Sequence, residues 1–336
     1  MLHAKIKEHC RFIISIAFFL IIIYAVPVSG DVLKKASFIP QWVPHAQFAG
    51  YYIGLEKGIY RKYGIDLTII TGGPDSPPSD LLMDKRADFA SLWLSTGIQM
   101  RARGAKILNI AQIMQRSALM LVAKKTSGIE KPVDINGKNV GLWGPVFQIQ
   151  PRAFFRKYDL TVRVVPQSFS VNLFLKDGVD VASAMWYNEY HTILNCGIDP
   201  CELTTFFFNE HGLNFPEDGI YVLEETCEKD PALCAAFVLA SIEGWLYAFN
   251  HSDEALAVTM RNLKKEHIPT TLVHQKWMLE RMKDLILPEK CEGAGMGRLL
   301  LDDYSRVALG LEKMELIDSV PDFTSFYKVI RDKYEK

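Results

Sequence analysis

Short β-branched runs alternate with helical patterns through the first two thirds of the chain, and few folds can bury the apolar residues of such a sequence. The runs at 65–70 (IDLTII), 87–92 (ADFASL), 106–112 and 118–124 read as strands, with helices predicted over 79–86 and 96–103. The same order starts again with a strand at 138–143 (KNVGLW), a helix over 147–157, a strand at 162–165, a helix over 171–176 and a strand at 179–185. The aromatic run LTTFFF at 203–208 suits a strand covered on both faces. Beyond Pro231 the pattern is helical almost to the C-terminus. Strands joined by helical crossovers predict parallel pairing and an α/β architecture. A chain roughly twice the usual domain size predicts two lobes or two domains.

The two halves share an echo. DFASLW at 88–93 and DVASAMW at 180–186 both read Asp-x-Ala-Ser and close on tryptophan, as equivalent strands of two similar lobes would. Open α/β sheets bind ligands at the carboxyl ends of their strands. The segments that follow the predicted strands are Gly72-Gly73-Pro74-Asp75-Ser76, Trp93-Leu94-Ser95-Thr96, Trp143-Gly144-Pro145 and Trp186-Tyr187-Asn188-Glu189. Rings, glycines, amides and carboxylates recur there, which core packing alone does not require.

The first residues carry Lys5, Lys7 and Arg11, an apolar run covers 12–26, and small residues precede Asp31. Basic start, apolar middle and small-residue exit predict a cleaved secretory signal over 1–30. The run is shorter than the roughly 20 residues that span a bilayer, which disfavours the alternative of a retained anchor. No second membrane-length segment is expected. Five cysteines remain after the leader: Cys196 with Cys201 and Cys227 with Cys234 are close enough in sequence for two local disulfides in an oxidising compartment, leaving Cys291 as a free thiol. A zinc site from His191, Cys196 and Cys201 has no CxxC spacing behind it, and the other histidines are scattered without HExxH. A net charge of −1 offers no basic excess for nucleic acid. No GxxxxGK[ST] or GxGxxG is present, so a nucleotide site lacks its motif.

The segment QWVPHAQFAGYY at 41–52 mixes flat rings with amide donors on a short turn. Continued as EKGIYRKYGIDL at 56–67, it resembles the two-lobed solute-binding proteins of ABC importers, in the branch for thiamine pyrimidine precursors and aliphatic sulfonates. The likeness extends through GGP at 72–74, GKNVGLW at 137–143, AMWYNEY at 184–190 and PEDGIY at 216–221. It implies a type II periplasmic-binding-protein fold, each lobe a mixed, mostly parallel sheet flanked by helices, with a helical C-terminal tail. Residues 31–122 and 220–336 would form one lobe and 123–219 the other, with hinge crossings near 121–124 and 215–222. The implied protein is exported and periplasmic or otherwise extracytoplasmic, monomeric, without cofactor or catalytic residues. It meets the membrane only through an ABC permease and its ATPase.

The resemblance implies an aminopyrimidine ligand of the hydroxymethyl or formylamino type, with sulfonates, taurine-like or other small solutes as the alternative. Trp42, Tyr51, Tyr52, Trp93 and Trp186 would supply rings about a planar ligand, Trp42 and Trp186 foremost, although Trp42, Tyr51 or Tyr52 could equally pack the first strand on a helix. Asn188 and Glu189 could cap a helix, or pair with the amino group and ring nitrogens of an aminopyrimidine. A sulfonate would find Glu189 repulsive. Gly72 and Gly73 offer backbone N–H groups to a ligand oxygen, or form a tight turn before Pro77. Asp218 lies near the second crossing and could reach the cleft or cap a turn, and His45 reads as an exposed rim residue. Two further alternatives remain: a ligand-sensing module for a signalling receptor, and a pyrimidine synthase. The synthase branch uses a histidine in W-x-P-N-x-x-H-x-G and a CCCFC stretch, but here Phe48 takes the histidine's place and CCCFC is missing.

Overall fold

The computed structural model describes residues 32–288 and 295–329. The predicted leader and Cys291 lie outside these residues. In chain order the first sheet's strands and helices are β1 (Lys34–Ile39), α1 (Ala49–Glu56), α2 (Ile59–Lys62), β2 (Ile65–Ile69), α3 (Pro78–Met83), β3 (Phe89–Trp93), α4 (Leu94–Ala102) and β4 (Ile107–Gln112). The middle segment supplies β5 (Leu119–Lys124), β6 (Asn139–Leu142), α5 (Ile149–Lys157), β7 (Arg163–Pro166), α6 (Asn172–Leu175), β8 (Val181–Met185), α7 (Glu189–Asn195) and β9 (Leu203–Phe207). The chain then returns through β10 (Asp218–Leu223) and α8 (Glu224–Lys229) to α9 (Pro231–Asn250), α10 (Ser252–Lys265), α11 (Leu272–Ile286), α12 (Leu301–Lys313) and α13 (Phe323–Phe326).

Two five-stranded sheets result, ordered β2-β1-β3-β10-β4 and β7-β6-β8-β5-β9. They share one plan. In each, a strand pairs in parallel with two neighbours, β1 with β2 and β3, and β6 with β7 and β8. In each, the fourth position is an antiparallel strand: β10, which returns from beyond the second sheet, in the first, and β5, the first strand of the middle segment, in the second. The expected parallel pairing therefore holds among three strands per sheet, and the antiparallel strand makes each sheet mixed.

The sequence echo maps onto this symmetry residue by residue. Phe38 faces Phe89 across β1 and β3, and Val140 faces Val181 across β6 and β8. The aspartate before each pair ties the neighbouring strand in the same way. Asp88 Oδ2 accepts from the Ser37 backbone N–H at 2.8 Å, and Asp180 Oδ2 from the Asn139 N–H at 2.8 Å. The closing tryptophans are not equivalent, however. Trp93 lies five residues after its aspartate and pairs with Asp218, a position matched in the second sheet by Met185, which pairs with Leu119. Trp186 is one residue further on, and side chains alternate between faces along an extended chain.

The crossings differ from expectation. Residues 113–118 run from β4 to β5 and residues 208–217 from β9 to β10. The expected crossing at 121–124 falls inside β5, and most of 215–222 falls inside β10. Both runs are almost wholly buried, LMLVAK and DGIYVL, so they pair as inner strands and the polar stretches before them make the crossings. The crossings are clamped to each other. Glu217 Oε1 accepts from Ser117 Oγ at 2.7 Å and the Ala118 N–H at 3.0 Å, while Gln112 Nε2 donates to the Glu217 carbonyl at 2.8 Å. Asn214 Oδ1 accepts from the Ser117 N–H at 2.9 Å.

Against the expectation of no second membrane-length segment, α9 is long and apolar enough to cross one. In this fold it is a core helix: half of that stretch is buried, and Phe237 stacks on Phe89 of β3 at 4.0 Å. It meets α1 at glycines. A Cβ on Gly50 would lie 2.3 Å from the Trp245 ring, and one on Gly244 would lie 2.4 Å from the Gly50 carbonyl oxygen. The four described mature cysteines are free, Cys196 and Cys201 exposed, Cys227 and Cys234 buried, so the two expected bridges are not formed. Lys328 Nζ donates to the Cys227 sulfur at 3.4 Å, and the Cys227 and Cys234 thiols are hydrogen-bonded to each other.

Candidate functional site

The carboxyl ends of β1, β3, β6 and β8 converge on a cavity of about 410 Å³ between the two sheets. From the first sheet's side it is lined by Gln41, Trp42, His45 and Gln47 after β1, and by Trp93 at the end of β3; Ile268 and Pro269 before α11 complete this wall. The second sheet's side contributes Trp143 after β6, Phe147 from a 3-10 turn and Phe169 from a loop, Met185 at the end of β8, and Tyr187, Asn188 and Glu189 after it. Phe147 is the centre of the aromatic part. Its ring meets Trp93 edge-on at 4.9 Å, Trp143 at 6.1 Å and Trp42 at 6.3 Å, and Phe169 sits 4.8 Å from Trp42.

The polar groups are few and held. Glu189 Oε2 accepts from the Met185 backbone N–H at 2.9 Å and Oε1 from Asn188 Nδ2 at 2.8 Å. Burial pushes this carboxyl up to about 7, against the pull of the hydrogen bonds from Met185, its own N–H and Asn188. Gln47 Nε2 donates at 2.9 Å to Asp218 Oδ2, and burial lifts Asp218 to about 6. Burial, with His274 nearby, lowers His45 to about 4. Two lining atoms, Gln41 Oε1 and Trp93 Nε1, have no hydrogen-bond partner, one an acceptor and one a donor. No lining residue is lysine or arginine.

Of the residues expected at the site, the structure brings Trp42, Trp93, Asn188 and Glu189 to the cavity. The others lie elsewhere. Tyr51 and Tyr52 are on α1, not on a turn: Tyr51 packs on Phe38 at 4.5 Å and on Trp245 in the core, and Tyr52 faces a separate small cavity beside Leu55 and Val258. Gly72 is spacing for its neighbour, since a Cβ there would lie 2.0 Å from the Pro40 carbonyl oxygen, and Gly73 adopts φ +141°. These glycines press the loop after β2 onto the loop that carries Gln41 and Trp42. Asp218 is one layer back, behind Gln47. Trp186 is outside the cavity, edge-on to Phe207 at 5.7 Å and beneath the guanidinium of Arg281 at 5.0 Å. The residue at the register position of Trp93 is Met185, and it is Met185 that faces the cavity.

His45 lines the wall and is part-buried where an exposed rim residue was expected. Gln41 and Gln47 belong to the aromatic and amide segment at 41–52, and Trp143 and Tyr187 to the strand-end segments. Phe147 opens the stretch predicted as a helix over 147–157 and lies in a short 3-10 helix at Pro145–Gln148, while Phe169 is in a loop for which periodicity offers no cue. The histidines are not all scattered: His191 and His274, 83 positions apart, bring their Nδ1 atoms to 2.9 Å. Among the described residues no group of three or more His, Cys, Asp or Glu could hold a metal ion.

Two five-stranded sheets of matched topology, the first completed by a strand that returns after the second, and a cavity where their strand ends meet are the marks of the two-lobed periplasmic-binding-protein fold. The solved aliphatic sulphonate binding protein SsuA of Escherichia coli superposes with a TM-score of 0.65 over 86% of this chain and 95% of its own, at 12% identity. The chain belongs to the NMT1/THI5-like family, whose model matches residues 45–255. It is 22% identical over 249 residues to the formylaminopyrimidine-binding protein of Halalkalibacterium halodurans, covering 71% of this chain and 74% of that one. It is also 22% identical over 250 residues to the riboflavin-binding protein RibY of Chloroflexus aurantiacus, covering 70% and 68%.

Proposed function

We propose that the chain is the extracytoplasmic solute-binding component of an ABC importer. It captures an uncharged planar nitrogen heterocycle, of the hydroxymethyl- or formylamino-aminopyrimidine class, and presents it to a permease and ATPase. The observation that carries this reading is the pairing of Glu189 with an aromatic cavity whose lining holds no cation. A buried carboxylate accepts from N–H donors, which an aminopyrimidine supplies, while the rings of Trp42, Trp93 and Phe147 cover its faces. Gln41 Oε1 and Trp93 Nε1 offer one further acceptor and donor. A sulfonate would place its charge against Glu189 with no lysine or arginine to answer it, and desolvating an unpaired anion is costly. The relative that binds formylaminopyrimidine agrees with this chemistry.

The size of the cavity favours one second reading, a fused-ring ligand. A space of about 410 Å³ exceeds what a single substituted pyrimidine fills, and a relative is named for riboflavin. A synthase is disfavoured, because Phe48, at the place of that branch's histidine, is fully buried in the core and faces no cavity. The residues proposed to touch the ligand are Gln41, Trp42, Trp93, Phe147, Asn188 and Glu189. The lobe of β1–β4 and β10 with the helical tail would close on the lobe of β5–β9 by rotation about the two crossings. Calorimetry with a formylamino-aminopyrimidine, an alkanesulfonate and a flavin tests this. Tight pyrimidine binding with no sulfonate heat is expected, and sulfonate binding would overturn it.

A further inference from the structure

One hydrogen-bond chain crosses from the helical tail to the polar wall of the cavity, and its direction can be worked out from the chemistry of each group. His274, on α11, and His191, on α7, face each other with rings stacked at 5.1 Å and 29° and Nδ1 atoms 2.9 Å apart. His274 Nε2 lies 2.8 Å from Asn188 Oδ1, and Asn188 Nδ2 donates to Glu189 Oε1 at 2.8 Å. The amide nitrogen must face the carboxylate, since an amide oxygen there would set acceptor against acceptor. Asn188 Oδ1 therefore accepts, and His274 Nε2 is the donor. A neutral imidazole with its hydrogen on Nε2 has a lone pair on Nδ1, so His191 Nδ1 donates to it, and the Asn195 amide, 3.2 Å from the same His191 Nδ1, must then present its oxygen to that nitrogen.

The surroundings hold this arrangement. His191 lies flat on Trp277 at 4.7 Å and 6°, and Trp277 Nε1 donates to the Trp186 carbonyl at 3.1 Å. Arg281 stands over both Trp277, at 4.6 Å, and Trp186, at 5.0 Å, while its Nε donates to Asp284. Its positive charge opposes a proton on His191, and both histidines are lowered, chiefly by burial.

We propose that His274 is a positioning residue of the site: by donating across the cleft it fixes the Asn188 carboxamide with its amino group towards Glu189. The polar wall is then complete only while α11 lies against α7. The consequence for binding rests on the reading of the cavity as a solute site; the hydrogen-bond chain does not.

Two measurements test it. Nitrogen-15 spectra of the ligand-free chain should show His274 carrying its hydrogen on Nε2 and His191 on Nδ1, with the His274 preference lost in Asn188→Ala. Calorimetry with a hydroxymethyl-aminopyrimidine should show His274→Ala about tenfold or more weaker, His274→Gln recovering most of the loss through its amide donor, and the double variant no worse than Asn188→Ala alone. Additive losses, or a hydrogen on His274 Nδ1, would overturn the proposal. If no pyrimidine binds at all, the solute reading fails, and the His274 tautomer still decides whether the hydrogen-bond chain exists.

Discussion

A carboxyl group on the wall of an aromatic cavity must either ionise against its surroundings or carry a proton, and Glu189, lifted to about 7, sits at that balance. Ligand N–H donors favour the ionised form. Affinity for an aminopyrimidine is therefore expected to rise between about pH 6 and pH 8 and then level, and Glu189→Ala should bind at least about a hundredfold more weakly with a flat profile. Calorimetry across that range reads both. The rings divide as sharply. Trp93→Ala should cost about tenfold or more in affinity, while Trp186→Phe, outside the cavity, should cost less than about threefold. The reverse order would place the ligand elsewhere. The sequence pointed to Glu189, Asn188, Trp42 and Trp93 because strand ends are where such sites form. It misjudged Trp186 because the two echoes differ by one residue, and in a strand one residue exchanges the faces. Tyr51 and Tyr52 were misjudged because their stretch is helical, which turns them inward onto Phe38 and the α10 side.

Among the elements, α1 and α9 approach so closely that Gly50 and Gly244 leave no room for a methyl group. Gly244→Ala would set a Cβ against a backbone oxygen that cannot swing away, so a loss of about 3 kcal/mol in chemical denaturation is expected. Loss of under about 0.5 kcal/mol would mean the helices separate easily. The clamp between the crossings makes a second element-scale prediction. Glu217→Ala leaves the Ala118 N–H without its buried acceptor and removes the carboxylate that holds Ser117 Oγ, and should cost about 2–4 kcal/mol by the same measurement. Strand positions were mostly legible, since each run read as a strand became one within a residue or two, while β1 and β10 were not read. The return of β10 to the first sheet was not legible, because a buried run does not say which sheet it will complete. The meeting of His191 and His274 was likewise invisible, as nothing in local pattern joins positions 83 apart.

For the whole molecule, buried titratable groups set opposite demands on pH. Glu217 is pushed up to about 8, Glu189 to about 7 and Asp218 to about 6, in each case chiefly by burial. A carboxyl raised on folding stabilises fully below its unfolded value and loses that contribution as pH rises through the folded one. His45 and His274 are lowered to about 4, so their contribution is full above the ordinary histidine value and is lost as pH falls towards 4. Between about pH 4 and 6.5 the two sets offset each other, and above that window, where the histidine contribution is already full, the melting temperature of the ligand-free chain should fall as pH rises to about 8. Scanning calorimetry over that range checks it, and a plateau extending through about pH 9 would contradict the burial of Glu217 and Glu189.

Whether the cavity is the solute site is decided by a crystal structure of the chain grown with a formylamino-aminopyrimidine. The ring is expected between the sheets against Trp42, Trp93 and Phe147, with its amino group on Glu189 and Asn188. A ligand bound at any other cavity, or one in this cavity that turns its amino group away from Glu189, would contradict that reading.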